Sequence, residues 1–251
     1  MHLSRCTEGL AVDIRQILKK SDMVIGLRND LRKIPGILRR RGSANVLRKY
    51  IQTHQVRKLQ IGAGPIAIPG WLGTDLRAGD GVVFLDATKP FPFEDDTFDY
   101  IHSEHMIEHL TWHQGLAMLR ECWRVLKPGG TIRVATPDLK VLVSLYGYRT
   151  NPLAERYMRW VTDLYLGGIQ VYMPAFVINS AFYIWGHKFV YDEEVLEMTL
   201  RDAGFIDIRH YAPGESDDEN LRGIEQHGRI GSGNEEMNAF QTMVFEGKCP
   251  A

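Results

Sequence analysis

The chain reads as a doubly wound α/β protein, on three observations. From Lys58 onward short apolar runs end in Gly, Asp or Pro, segments of helical period separate them, and a glycine turn follows the first run directly. The candidate strands are 59–61, 71–74, 82–85, 98–102 and 131–135, closed late in the chain by 205–211 and 239–246. That count predicts a sheet of about seven strands.

The clearest helix lies between the fourth and fifth strands. Thr111 and Gln114 have the spacing of a capping box, Leu116, Leu119, Trp123 and Leu126 recur at core spacing, and Lys127-Pro128-Gly129-Gly130 stops the run. Residues 141–190 are rich in Tyr, Trp, Phe and Met with little strand character, which predicts a helical insertion before the last strands. Asp192 is placed to cap a helix through Ala203, and Gly204 to end it. The acidic stretch 213–238 is expected to be a long loop, and loops of that length are usually functional or mobile.

The 251 residues include 44% hydrophobic and 24% charged side chains, which excludes a disordered or fibrous chain and allows one sizeable core. Cys6, Cys122 and Cys249 stand far apart in no metal-like spacing, so a reducing cytoplasm is the expected setting. No signal peptide is visible, and the apolar stretch 169–185 is interrupted by Gln170, Pro174 and Asn179, short of a membrane span. The net charge of -1 hides an asymmetry. Through Lys58 there are fourteen Lys and Arg against four Asp and Glu, and the rest of the chain carries sixteen against twenty-seven. Residues 10–41 carry helical spacing broken at Pro35-Gly36, so a basic helical extension is expected over 1–57, ahead of a domain over 58–251. Such an arm suits an anionic membrane face, an acidic partner protein or, less well, a nucleic acid; equally, it packs as a solvated extension on its own acidic domain.

Chemistry concentrates at the strand ends. Leu59-Gln60-Ile61-Gly62-Ala63-Gly64 runs a strand into two glycines, where a ligand can approach the backbone closely. With Ala67 it satisfies the G-x-G-x-x-A dinucleotide pattern, so a nicotinamide-dependent oxidoreductase is a competing reading. Against it, Pro69-Gly70 breaks the helix that would receive a pyrophosphate, and Asp75 follows Gly62 by 13 positions where the pattern needs about 20. Asp75 and Asp86 end the second and third strands, where turn capping also accounts for many aspartates. Further on, His105, Glu108 and His109 have i, i+3, i+4 spacing and would share one helical face. As text they also match the H-x-x-E-H protease signature.

The order of these signals, followed by Phe91-Pro92-Phe93, Phe98-Asp99-Tyr100-Ile101, Glu108-His109-Leu110 and Leu126-Lys127-Pro128-Gly129-Gly130, resembles class I S-adenosylmethionine-dependent methyltransferases, specifically the methyltransferase type 11 group. The likeness covers about residues 58–137. It implies a Rossmann-like seven-stranded sheet with S-adenosylmethionine bound by Gln60, Gly62, Ala63, Gly64, Asp75, Leu76, Asp86, Ala87 and Ser103. Within that set, the glycine turn borders the methionine part, Asp75 the ribose, and Asp86 with Ala87 the adenine. Gln60, where the family has an acid, and Pro65, in place of a third glycine, depart from the pattern. Catalysis is expected from His105, Glu108 and His109, with proton removal from a hydroxyl acceptor.

Their spacing is also similar to the E-x-x-E-H metal site of small-RNA 2′-O-methyltransferases, with His105 in place of the first glutamate and His187, in Gly186-His187-Lys188-Phe189, as a later imidazole. That likeness implies a divalent Mg or Mn held by His105, Glu108, His109 and His187; His105 as a metal-free general base is the alternative. The aromatic insertion falls where methyltransferases build an acceptor lid, although it serves equally as a helical cap or a homodimer surface. Arg222, His227 and Arg229 are candidates to meet an anionic acceptor, or are simply solvated. The expected function is O-methylation of a sugar, glycan or other small hydroxylated acceptor by a cytoplasmic enzyme peripheral to a membrane. An RNA 2′-O-methyltransferase and a non-catalytic adenosyl-binding module are the remaining alternatives.

Overall fold

Parallel pairing at the centre and antiparallel pairing at one edge organise the chain. The computed structural model describes residues 36–251 apart from 65, 66, 78, 80, 170 and 228–233. Strands β1 (Lys58–Ile61), β2 (Leu72–Asp75), β3 (Val83–Phe84), β4 (Phe98–Glu104), β5 (Leu126–Pro137), β6 (Ile206–Tyr211) and β7 (Thr242–Lys248) form one mixed sheet in the order β3-β2-β1-β4-β5-β7-β6. Strands β3 through β5 pair in parallel, while β7 runs antiparallel to both β5 and β6. Helices flank the sheet on both sides in a Rossmann-like arrangement. The order reverses between β1 and β4, and in such sheets ligands bind outside the carboxyl ends of the strands at that switch point.

Among the described residues the helices are α1 (Gly36–Thr53), α2 (Trp112–Val125), α3 (Leu139–Ser144), α4 (Pro152–Tyr165), α5 (Pro174–Tyr183), α6 (Glu193–Ala203) and α7 (Glu235–Gln241). The capping box at α2 is formed, with Gln114 N donating to Thr111 Oγ1 at 3.4 Å and Thr111 N to Gln114 Oε1 at 3.1 Å. Asp192 caps α6 through Val195 N, and Gly204 ends it at φ +107°. The insertion is helical and carries its own core: Leu142, Leu145, Tyr157, Met158, Val161, Val177 and Ala181 cluster with Met237 of α7.

Three expectations are corrected. The strand expected over 239–246 begins three residues later, because 235–241 is a helix capped by Asn234. Strand β5 starts at Leu126, before the Pro128-Gly129-Gly130 turn, pairing Phe98 with Leu126 across a register shift. The long loop expected over 213–238 has no helix or strand over 213–226 but ends in α7, and Arg133 ties Glu215 and Glu225 of it to the sheet. Of the basic extension, 1–35 fall outside the described residues, while α1 inserts Tyr50 into the main core. The Tyr50 hydroxyl has Lys58 O and Gly70 O within reach of its one hydrogen, at 3.0 and 2.9 Å, and accepts from Lys58 N at 2.8 Å.

The two sheet faces differ in kind. Leu59, Ile61, Leu72, Ile101, Ile132, Val134 and Phe245 point into one apolar cluster with Met118 and Leu119 of α2 and Leu196 and Leu200 of α6. On the opposite face, register aligns Gln60, His102, Arg133, Glu246 and Arg209 in a single polar row across five strands. Arg133, 0% exposed, donates from Nε to Glu225 Oε1 and from Nη1 to Glu246 Oε1, both at 2.6 Å, and from Nη1 to Glu215 O. Those bonds hold the 213–227 segment against the sheet.

Candidate active site

The cofactor residues expected from the sequence gather at the carboxyl edge of β1, β2, β3 and β4. Gly62 follows β1 at φ +73° and Gly64 at φ +60°, backbone that L side chains rarely adopt. A Cβ on Gly62 would stand 2.6 Å from Met106 Cγ, so the turn packs directly under the segment after β4. Gln60 is buried and turned to hold its own loop, its Oε1 accepting from Ile68 N at 2.9 Å. Asp75 holds the turn from the next strand: Oδ2 accepts from Gly64 N at 3.0 Å and Oδ1 from Arg77 N at 2.8 Å. Asp86 takes Thr88 N and Thr88 Oγ1 on Oδ1. Ala63 is tied to β2 by Ala63 N to Thr74 O, and Ala87 packs at the margin of the core. Leu76 is 59% exposed beside Asp75, and the Ser103 hydroxyl is fully buried with no hydrogen-bond partner at the end of β4, level with Ile61.

The expected helical face of His105, Glu108 and His109 does not form. Only Ile107–His109 makes a 3-10 turn, because His105 sits at φ +46° and its N donates to Ala135 O, continuing the β4–β5 pairing. The side chains converge all the same, around a buried carboxylate. Glu108 is 0% exposed and accepts from Thr136 Oγ1 at 3.0 Å, while its Oε1 lies 3.3 Å from His105 Nδ1. Its carbonyl receives Lys188 N and Phe189 N, which clips the 187–189 segment beside it and brings His187 to His109, ring centroids 5.0 Å apart. Burial drives Glu108 toward protonation, yet its contact with His105 outweighs this and keeps the carboxyl below its ordinary range. Burial likewise pulls His187 down to about 4.

The sequence-derived tetrad therefore divides. Glu108, His109 and His187 each offer a ligand atom within 4.8 Å of the others. His105 touches Glu108 through Nδ1 but lies outside that triad, with Nε2 3.0 Å from Thr242 Oγ1. Behind it stands His227, its ring stacked on His105 at 4.0 Å between centroids. Glu104 places His227, accepting from Gln226 N and His227 N at 2.8 Å each. Burial opposes ionisation of Glu104, but His102 and those two amides hold its carboxyl at about 2. His227 is itself pulled down to about 4, chiefly by burial and then by His105. Sequence reading had no means to join His227 to Glu104, 123 positions away, or Thr242 to His105, 137 positions away. Of the other loop cations, Arg222 donates to Ser216 O, and Arg229 lies outside the described residues.

Residues 71–134 match a family described as "Methyltransferase domain", type 11. Over that stretch, about a quarter of the chain, the protein is similar to S-adenosylmethionine-dependent methyltransferases of the type 11 group. Solved structures are similar to the chain at low identity. A SAM-dependent methyltransferase from Archaeoglobus fulgidus is 19% identical, covering 84% of this chain and 94% of that one at TM-score 0.44. Phosphoethanolamine N-methyltransferase 2 of Haemonchus contortus, solved with S-adenosyl-L-methionine, is 15% identical over 84% of this chain and 53% of its own, at TM-score 0.45. A Haloferax volcanii methyltransferase in complex with the Trm112 activator is 16% identical over 82% and 89%, at TM-score 0.42. No curated protein matches the chain. Among the described residues no helix is long and apolar enough to cross a membrane.

Proposed function

We propose that the protein methylates a hydroxyl of a small, sugar-like acceptor, with His105 as the base that removes the proton. The observation that carries this reading is the setting of the His105 ring. Glu108 lies against Nδ1 at 3.3 Å, and Nε2 meets a hydroxyl, that of Thr242, at 3.0 Å. A carboxylate on one ring nitrogen fixes the tautomer and leaves the other as proton acceptor, the logic of oriented histidine bases generally. Gly62, Gly64, Asp75, Leu76, Asp86 and Ser103 would hold S-adenosylmethionine, with Gln60, Ala63 and Ala87 shaping the loops around them. When bound, that cofactor supplies an already activated methyl group, so the chain's own task is to align the acceptor oxygen and take its proton. Methyl transfer from labelled S-adenosylmethionine to a panel of hydroxylated acceptors tests this. His105→Ala should lower kcat roughly 10²–10⁴-fold while leaving S-adenosylhomocysteine affinity intact. An unchanged kcat would remove His105 from the chemistry.

A second reading rests on the Glu108, His109 and His187 triad, which would hold a divalent cation next to the acceptor. Two imidazoles and one carboxylate suit Mn better than Mg, which prefers oxygen donors. Such an ion would lower the pKa of an acceptor hydroxyl. Full activity in EDTA, together with metal-free purified protein, excludes it.

A further inference from the structure

A cavity of about 110 Å³ lies between the 213–227 segment and α7, lined by Glu104, Glu225, Glu235, His227, Asn238 and Thr242 among others. It opens at the proposed base, because Thr242 is the residue that meets His105 Nε2 and His227 is the residue stacked on the His105 ring. Its walls are fixed. Glu225 is held by Arg133 Nε at 2.6 Å and accepts from Gly214 N at 3.0 Å, and Glu104 is held by two backbone amides. Three carboxylates, one amide and one hydroxyl line it, and among the described residues no Lys or Arg does. A phosphate or carboxylate placed there would meet like charge in a partly desolvated site, whereas donor groups would find acceptors already oriented.

We propose that this cavity is the acceptor subsite, that it takes a neutral polyhydroxylated fragment and rejects anionic ones, and that His227 is its specificity-determining wall. The inference rests on the methyltransferase reading of the same site and narrows its substrate class. It assigns His227, expected to meet an anionic acceptor or to be solvated, to a neutral one.

The test uses the full chain with and without S-adenosylhomocysteine and two probes, methyl β-glucopyranoside and glucose 6-phosphate, read by thermal unfolding. The neutral glycoside should raise Tm and the phosphate should not. His227→Ala should lose the shift. Glu235→Lys, an exposed position, should fold normally and admit the phosphate. An equal or larger shift from the phosphate in the wild type, or no shift from the glycoside, overturns the subsite. A glycoside shift that depends on His227 in a protein indifferent to S-adenosylhomocysteine supports the subsite and removes the methyltransferase reading, so the two failures are distinct.

Discussion

On β5, Ile132 and Arg133 are neighbours in sequence and belong to different kinds of protein interior. Ile132 enters the apolar cluster shared with α2 and α6, where contacts are interchangeable and non-directional. Arg133 enters a row of polar side chains and is bonded to two carboxylates and a carbonyl. The apolar face holds the domain together. The polar face fixes the 213–227 segment, and with it His227 and the wall of the cavity beside His105. Stability and the placing of the 213–227 segment are thus built on opposite sides of one sheet, joined through β4, whose successive residues Ile101 and His102 face one each.

Breaking the polar face should cost most. Arg133→Leu strands Glu225 and Glu246 as buried carboxylates, and loss of one partner from such a cluster costs about 3–5 kcal/mol. Denaturant unfolding measures it, and the variant should also lose the glycoside response. A cost near zero would show that the cluster is not desolvated in solution. If all three residues were replaced together by apolar ones of similar volume, stability should return while the site remains disordered, which separates the two roles.

Acid should act on the site side before the core. His187 and His227 are held near 4 when folded against an ordinary 6.5, so the unfolded chain takes up protons first. Stability should be intact above pH 6.5 and fall as pH drops from there toward 4. Glu104, lowered from 4.5 to about 2, adds to the loss below pH 4.5 in the same direction. Tm against pH checks this, and replacing both histidines by Asn should flatten the upper limb. A profile rising toward acid would contradict the burial assigned to them.

On the helical side Thr111→Ala removes half of the capping box and should cost about 0.5–2 kcal/mol with the site untouched. Ile132→Val should be smaller still, about 0.5–1.5 kcal/mol. If either altered the glycoside response, the separation of the faces would be wrong.

The sequence made the apolar half readable. Strand positions, the Thr111 capping box, the Asp192 cap and the helical insertion all follow from local periodicity and local bonds, which a linear text carries. The same text shows alternation in Lys58-Leu59-Gln60-Ile61 and Thr131-Ile132-Arg133-Val134, yet its meaning depends on register among five strands, which no local pattern supplies. His105 was visible as chemistry but was assigned to a helix, because its left-handed backbone is imposed by pairing with Ala135. His227 and Thr242 reach the site only through contacts spanning more than 100 positions. Glu108 and His187 were joined by resemblance, and the physical cause, two amides on the Glu108 carbonyl, appears only in three dimensions.

The central claim is that the strand-end turn at Gly62 and the carboxylates of Asp75 and Asp86 form an adenosyl site. Calorimetric titration of the full chain with S-adenosylhomocysteine tests it most directly. Saturable binding at one site per chain, weakened at least about tenfold, or ~1.4 kcal/mol, by Asp86→Ala in a protein of unchanged Tm, is the expected result. No heat of binding from a natively folded protein, or equal affinity in the variant, would contradict it.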